Sequence, residues 1–131
     1  MIIDTSAVLA ILNDEPERRL FNEAIERAES CLISAVSHVE TSIVLQARKG
    51  YEGVRDFDLF VARAGIQLAE VDAEQAQLAR TAFREFGKGR HAANLNFGDC
   101  FTYALSKATG LPLLFKGNDF PLTDINSVLE P

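Results

Sequence analysis

The stretch Met1-Ile2-Ile3-Asp4-Thr5-Ser6 places a short apolar run directly before an acid and the start of a helical pattern. Three more apolar runs of strand length occur later in the chain: Cys31 to Ser34, Ile66 to Leu68, and Leu111 to Phe115. The segments between these runs are long enough for crossover helices, which indicates parallel strands covered on both faces. We therefore predict an α/β fold with a central parallel sheet of four to five strands and helices on both faces.

Apolar residues recur at helical spacing in the segments between the predicted strands. These stripes comprise Leu20, Phe21, Ala24, Ile25 and Ala28; Val36, Val39, Ile43, Val44 and Ala47; Phe57, Phe60, Val61 and Ala64; Leu78, Ala79, Ala82, Phe83 and Phe86; and Phe97, Cys100, Phe101, Ala104, Leu105 and Ala108. Asp72 with Gln75 three residues later predicts a helix N-terminus, and Gly110 predicts a helix C-terminus.

The composition limits the class of protein. The chain has 131 residues, 47% of them hydrophobic, which predicts one compact domain over residues 1–131. No uncharged apolar run approaches the roughly 20 residues that span a bilayer, and Asp4 lies where a secretory signal carries Lys or Arg. We expect a cytoplasmic protein with no membrane partner. Cys31 and Cys100 are expected to be reduced, buried thiols, because their spacing does not fit a zinc site.

Four acids are placed so that they can meet at one edge of the predicted sheet. Asp4 directly follows the first strand, and Glu40 lies about one turn into the helix after the second. Asp99 opens the helix that leads into the fourth strand, and Asp119 comes shortly after that strand. Because sites in open parallel sheets form outside the carboxyl ends of the strands, we expect these four carboxylates to converge.

Each acid also has a local explanation. Asp4 and Asp99 would serve equally well as helix N-caps, and Asp119 as a turn residue. Glu40 differs, because it occupies the apolar stripe of its predicted helix, where a carboxylate is costly unless it is paired, hydrogen-bonded or bound to metal. The alternative explanations are that Glu40 lies at the edge of the stripe or that it pairs with a basic side chain.

The charge pattern indicates which ligand such a pocket would take. Converging carboxylates repel one another, and Mg²⁺ or Mn²⁺ is the natural compensating ion for oxygen ligands. A cation there can activate a water for attack on a phosphodiester. Such a cation would also allow a protein with a net charge of −6 to bind a nucleic acid.

A local basic cluster precedes Asp99. Lys88, Arg90 and His91, with Arg84 close by, are candidates for contacting RNA, and the alternative is an ordinary solvated loop. His91 and His38 are the only candidates for a metal-free acid–base mechanism. His38 lies off the core face of its predicted helix, so we favour a structural or surface role for it.

Four blocks of sequence carry a resemblance to a known family. They are Met1 to Ser6; Val39 to Thr41; Leu95 to Cys100 with Tyr103 to Leu105; and Leu114 to Phe120 followed by Thr123 to Ile125. Together they resemble the VapC branch of PIN-domain proteins over nearly the whole chain. The third and fourth blocks, at this separation, are quite specific.

The resemblance implies the toxin half of a type II toxin–antitoxin pair, an endoribonuclease that hydrolyses RNA with a metal-activated water. It implies a PIN-domain sheet with a pocket that holds Mg²⁺ or Mn²⁺, a homodimer, and silencing by a VapB-type antitoxin. The catalytic residues and metal ligands that it implies are Asp4, Glu40, Asp99 and Asp119, with Ser6 or Thr5 supplying a supporting hydroxyl. Asn118 lies where relatives can carry a second acid, which leaves the number of metal ions open.

Other functions remain as alternatives at this point. A PIN-like DNA nuclease and a PIN-like binding module without catalysis would share the fold. A phosphatase of the haloacid-dehalogenase type would need an acid at the position of Ser6. A receiver domain would need paired acids before the strand that carries its aspartate, and no earlier strand is predicted.

Overall fold

The computed structural model describes residues 1–129 and contains a four-stranded parallel sheet in the order β3-β2-β1-β4. In chain order the elements are β1 (Ile2–Ile3), α1 (Thr5–Leu12), α2 (Arg18–Arg27), β2 (Cys31–Ser34), α3 (Ala35–Ala64), β3 (Ile66–Ala69), α4 (Ala73–Phe86), α5 (Phe97–Thr109), β4 (Leu113–Leu114) and a short 3-10 helix (Phe120–Leu122). The four predicted strands are confirmed, with the first and fourth shorter than expected.

Helices cover both faces of the sheet, as predicted. Successive residues of β1 point to opposite faces, so Ile3 belongs to one apolar core and Ile2 to another. The first core lies under α1, α2 and the second half of α3, where Phe57 is fully buried. The second lies under α4 and α5 and includes Leu105. The short central strands are therefore buried on both sides, as is typical of parallel sheets.

The strand order creates a switch point beside β1. From β1 the chain moves outward to β2 and β3, and then returns to place β4 on the other side of β1. The backbone amide of Asp4 donates to the carbonyl of Leu114 at 3.0 Å, so the carboxyl ends of β1 and β4 lie together. Residues that follow these two strands therefore meet where ligands bind in open α/β sheets.

Several local sequence signals are confirmed. The Asp72 side chain caps α4 by accepting from the backbone amide of Gln75 at 2.9 Å, and Gly110 ends α5 at a φ of 73°. Cys31 and Cys100 are buried free thiols. Within residues 1–129, no helix is both long and apolar enough to cross a membrane.

The prediction for the buried face of α3 was wrong. Val39 and Ile43, which we expected in the core, are 55% and 62% exposed. The buried residues of this part of the helix are Ser37, Thr41 and Leu45. The reason is that this face of α3 packs against the polar end of the sheet. Hydroxyl groups there form hydrogen bonds with buried polar groups, which apolar side chains would leave unpaired.

Candidate active site

Asp4 joins β1 to α1 and has two structural roles. Its side chain caps α1, because Oδ2 accepts from the backbone amide of Ser6 at 3.0 Å and from the Ser6 hydroxyl at 2.7 Å. Its other oxygen, Oδ1, accepts from the hydroxyl of Thr102 at 2.8 Å. Asp4 is only 4% exposed, so the N-cap interpretation is correct but incomplete. A carboxylate buried this deeply is held by three donors from the protein.

Glu40 lies half-buried on α3 beside the start of α5. Its Oε1 accepts from the hydroxyl of Thr5 at 2.7 Å, and no basic side chain within residues 1–129 forms an ion pair with it. Burial raises the pKa of Glu40, the hydrogen bond from Thr5 lowers it, and the nearby charge of Asp4 raises it again. Within residues 1–129, the alternative of a basic partner is therefore not supported, and a hydroxyl group contacts Glu40 instead.

Gly98 is the neighbour that leaves room for the Glu40 carboxylate. A Cβ atom on this glycine would overlap Oε2, Cδ and Oε1 of Glu40. Gly98 is buried in the first turn of α5, directly before Asp99. Its position brings the backbone of α5 against the end of the Glu40 side chain.

Asp99 is the third residue of α5 and forms a capping box with Asn96. Asn96 Oδ1 accepts from the Asp99 amide at 2.9 Å, and Asp99 Oδ2 accepts from the Asn96 amide at 3.0 Å. The N-cap of α5 is therefore Asn96, which corrects the alternative that Asp99 itself fills that position.

The pKa of Asp99 is raised to about 7. Burial is the largest cause, and the hydrogen bond from Asn96 opposes it. The charges of Asp4, Glu40 and Asp119 each raise this pKa further. Asp4, Glu40 and Asp119 therefore all lie within electrostatic reach of Asp99, as expected from the strand order.

Asp119 occupies an exposed position at the start of the 3-10 helix that follows β4. Within the described part of the chain, its side chain caps no helix and accepts no hydrogen bond, so the turn-residue alternative is not supported by a local bond. Its influence on Asp99 is electrostatic.

Lys116 fixes the segment that leads from β4 to Asp119. Its backbone amide donates to Ser6 Oγ at 2.9 Å, and its ammonium pairs with Glu15 and, at 3.0 Å, with Glu17. The same Ser6 hydroxyl donates to Asp4, so it links the ends of β1 and β4. Ser6 and Thr5 thus each support one acid, whereas the supporting role of Lys116 was not predicted.

The donor set suits a hard divalent cation, since all four acids offer oxygen atoms. Within residues 1–129, no three His, Cys, Asp or Glu side chains lie close enough to hold one ion as they stand. Each of Asp4, Glu40 and Asp99 instead accepts a hydrogen bond from a protein donor.

The basic cluster lies in the loop that joins α4 to α5. Lys88, Arg90 and His91 are exposed, and the loop is closed by a hydrogen bond from the amide of Lys88 to the carbonyl of Leu95 at 2.8 Å. Because the loop leads directly into α5, it lies at the same end of that helix as Asp99. No hydrogen bond or ion pair within residues 1–129 joins these three side chains to the four acids.

His38 lies half-buried beside Phe57, with ring centroids 5.1 Å apart. The ring therefore packs against the apolar core on one face of the sheet. This placement corrects the prediction that His38 lies off the core face of its helix, and it agrees with the structural role that we favoured over acid–base chemistry.

Comparison with known proteins agrees with this geometry. Residues 1–126 match the family model described as PIN domain. The chain is 51% identical to ribonuclease VapC30 of Mycobacterium tuberculosis over 131 residues, which is the full length of both proteins.

Two solved structures share the fold at low sequence identity. The crystal structure of M. tuberculosis VapC20, described as a sarcin–ricin loop cleaving toxin, has a TM-score of 0.78 at 16% identity and covers 99% of this chain and 98% of its own. A chain of Rickettsia felis VapBC2, bound to a promoter DNA fragment, has a TM-score of 0.74 at 14% identity, with 96% and 95% covered. The family match and the full-length identity to VapC30 show that this chain belongs to the PIN-domain family and, within it, to the VapC ribonucleases.

Proposed function

We propose that this ribonuclease hydrolyses RNA phosphodiester bonds at a Mg²⁺ or Mn²⁺ site formed by Asp4, Glu40, Asp99 and Asp119. The proposal is carried by the placement of these acids at the carboxyl ends of β1 and β4, where burial and three neighbouring carboxylates raise the pKa of Asp99 to about 7. A pocket that concentrates negative charge in this way gains stability from a divalent cation. When bound, the cation would polarise the attacking water and offset the charge that develops on the phosphate.

The side chains of this protein would prepare that chemistry by orientation. The hydroxyls of Ser6 and Thr102 hold Asp4, and the hydroxyl of Thr5 holds Glu40. These hydrogen bonds fix the orientation of both carboxyl groups. Asp99 gives up its proton most readily when a cation replaces it, so metal binding should release a proton near pH 7.

The proposal extends to partners and setting. We propose that the toxin acts as one ribonuclease domain over residues 1–131 in the cytoplasm, that it forms a homodimer, and that a VapB-type antitoxin silences it. The likeness to a VapBC2 chain supports the proposal that a VapB-type antitoxin is a partner. Exposed apolar side chains near the site, including Val39, Ile43 and Phe97, support contact with further protein chains.

Cleavage assays with matched variants test the proposed function. Defined RNAs would be incubated with the parent protein, Asp99→Asn and Asp72→Asn in Mg²⁺, Mn²⁺ or excess EDTA. Asp72 is the control, because it also accepts from a backbone amide at a helix N-terminus but lies at α4, and asparagine caps a helix about as well. We expect cutting by the parent and by Asp72→Asn only with metal, and none by Asp99→Asn.

The ends of the products separate the mechanisms. A water attack leaves 5′-phosphate and 3′-hydroxyl ends, whereas attack by the ribose 2′-hydroxyl leaves cyclic phosphates. Undiminished cutting in EDTA, or cyclic phosphate products, would overturn the metal mechanism. Cutting of DNA in preference to RNA, or of neither, would instead favour the DNA nuclease or the non-catalytic binding module.

A further inference from the structure

A chain of buried hydroxyl groups connects α3 and α5 to Asp4. Ser37 Oγ on α3 lies 2.9 Å from Thr102 Oγ1 on α5, and Thr102 Oγ1 lies 2.8 Å from Asp4 Oδ1. Ser37 is fully buried and Thr102 is 1% exposed, so water does not compete for these bonds. Three separate elements therefore meet at one oxygen of one acid.

The direction of the bonds in this chain follows from the number of protons. Each hydroxyl has a single proton, and an ionised carboxylate only accepts. Thr102 must therefore donate to Asp4 and accept from Ser37. Because the acceptor is charged, the bond from Thr102 is stronger than one between neutral groups.

The acceptor positions on Asp4 are mostly occupied. A carboxylate has about four lone-pair positions, two on each oxygen. On Oδ2 both are used, by the amide and the hydroxyl of Ser6. On Oδ1 one is used by Thr102, which leaves a single position open.

We propose that Thr102, backed by Ser37, is a positioning residue that fixes Oδ1 of Asp4 as a one-oxygen metal ligand. The inference rests on the proposed function, because it assigns a task to Thr102 within the same site. Hydrogen-bond partners of metal ligands typically contribute about 10- to 100-fold to metal affinity, because they orient the ligand. Because Thr102 is 1% exposed and donates to Asp4, it would act only through Asp4.

The next turn of α5 offers a matched control. Ser106 is 4% exposed, and its hydroxyl donates to the carbonyl of Leu111 at 2.7 Å. Like Thr102 it is a buried hydroxyl on the same helix, but its acceptor lies outside the acidic site. Ser106→Ala therefore removes a buried hydroxyl and its hydrogen bond from the same helix without disturbing Asp4.

The test measures how the melting temperature responds to Mn²⁺ for the parent, Thr102→Val, Thr102→Ser and Ser106→Ala. We expect Thr102→Val to need about 10- to 100-fold more Mn²⁺ for half of the full shift. Thr102→Ser should restore the parent midpoint, since it keeps the hydroxyl, and Ser106→Ala should match the parent. The Mn²⁺ concentration for half-maximal RNA cleavage should move in parallel.

A Thr102→Val midpoint within about twofold of the parent would overturn the inference, since direct partners of a ligand contribute more than this. An equal change in Ser106→Ala would overturn it too. If Thr102→Val does not fold, Ser37→Ala provides the test, because it removes only the group behind Thr102. It should raise the Mn²⁺ midpoint by about threefold, below the range for direct partners of a ligand, and an unchanged midpoint would overturn the inference. A parent protein that shows no response to Mn²⁺ would instead refute the proposed function.

Discussion

At the scale of single residues, Asp99 shows how one carboxyl group can serve both the fold and the chemistry. Its side chain completes the capping box of α5, a role that any soluble helix could use. Burial and three other carboxylates nonetheless raise its pKa to about 7. Such perturbed groups are concentrated at functional sites, where binding of a ligand releases the stored repulsion.

The raised pKa predicts how the stability of the metal-free protein depends on pH. The pKa of Asp99 is about 7 in the folded state, against 3.8 as its ordinary value. The folded protein therefore holds a proton that the unfolded chain has released, and this stabilising contribution disappears as pH rises toward and through 7. Thermal melts in EDTA at pH 5, 6, 7 and 8 should show the parent becoming less stable across this range.

Asp99→Asn is the variant that checks the origin of this pH dependence. It should melt with a flatter pH dependence and be more stable than the parent at pH 8 by about 1 kcal/mol, a typical gain from relieving a strained functional site. Asp72→Asn should retain the parent profile. Parallel profiles for the parent and Asp99→Asn would show that Asp99 does not share the pocket with the other acids.

Gly98→Ala tests the close approach between α5 and Glu40. Alanine favours the helix, so the fold should persist, but its Cβ would overlap the Glu40 carboxylate and push it aside. We expect cleavage to fall by about 100-fold, as small displacements of catalytic groups can cause. In a Glu40→Ala background the same change should add little, since the displaced group is already absent. A further large decrease in that background would mean that Gly98 acts in another way.

At the scale of elements, the sequence predicts the framework better than the orientation of α3. Short apolar runs and strong cap signals such as Asp72 and Gly110 predict the strands and helix ends, because these depend on neighbouring residues. The stripe that includes Val39 and Ile43 suggested the wrong buried face for α3. Periodicity identifies an apolar face but not what covers it.

The candidate site shows the same division between local and long-range information. Asp4 and Asp99 could be predicted from their places next to a strand and at a helix start. The partners that orient the acids could not, because Thr102 and Asp4 are 98 residues apart in sequence. A hydroxyl on a helix is common, and only the packed structure shows which one faces a carboxylate.

The loop between α4 and α5 carries the prediction for RNA binding. Replacing Lys88 and Arg90 with Ala should weaken RNA binding and reduce the slope of log affinity against log salt. The expected reduction is about 0.7 for each phosphate of single-stranded RNA that the variant no longer neutralises. The fold should be unaffected, because both side chains are exposed. Binding titrations at several salt concentrations measure this slope.

Arg27 and Arg63 provide the control for this pair of substitutions. Both lie in the last turn of helices that lead into the amino ends of strands, so they lie at the edge of the sheet opposite the acids. Replacing them with Ala changes the net charge equally and should leave the slope unchanged. If both double variants have equal slopes, the loop has no special part in binding RNA.

At the scale of the whole molecule, the order of the strands accounts for the convergence of the acids. Asp4 and Asp119 are far apart in sequence, but the return of the chain to the free side of β1 brings the ends of β1 and β4 together. The net charge of −6 therefore does not predict how the protein binds RNA. Acids gathered around a cation present a different field to a phosphate than acids spread over a surface.

Direct measurement of Mn²⁺ uptake tests the central claim that these acids form one metal site. Free Mn²⁺ would be followed by electron paramagnetic resonance at pH 8 while the parent, Asp99→Asn and Asp72→Asn are titrated. We predict that the parent and Asp72→Asn bind Mn²⁺ with equal affinity and that Asp99→Asn binds at least about tenfold more weakly, as expected when a charged ligand is removed. A parent that removes no Mn²⁺ from solution, or an Asp99→Asn variant that binds it as tightly as the parent, would contradict the account.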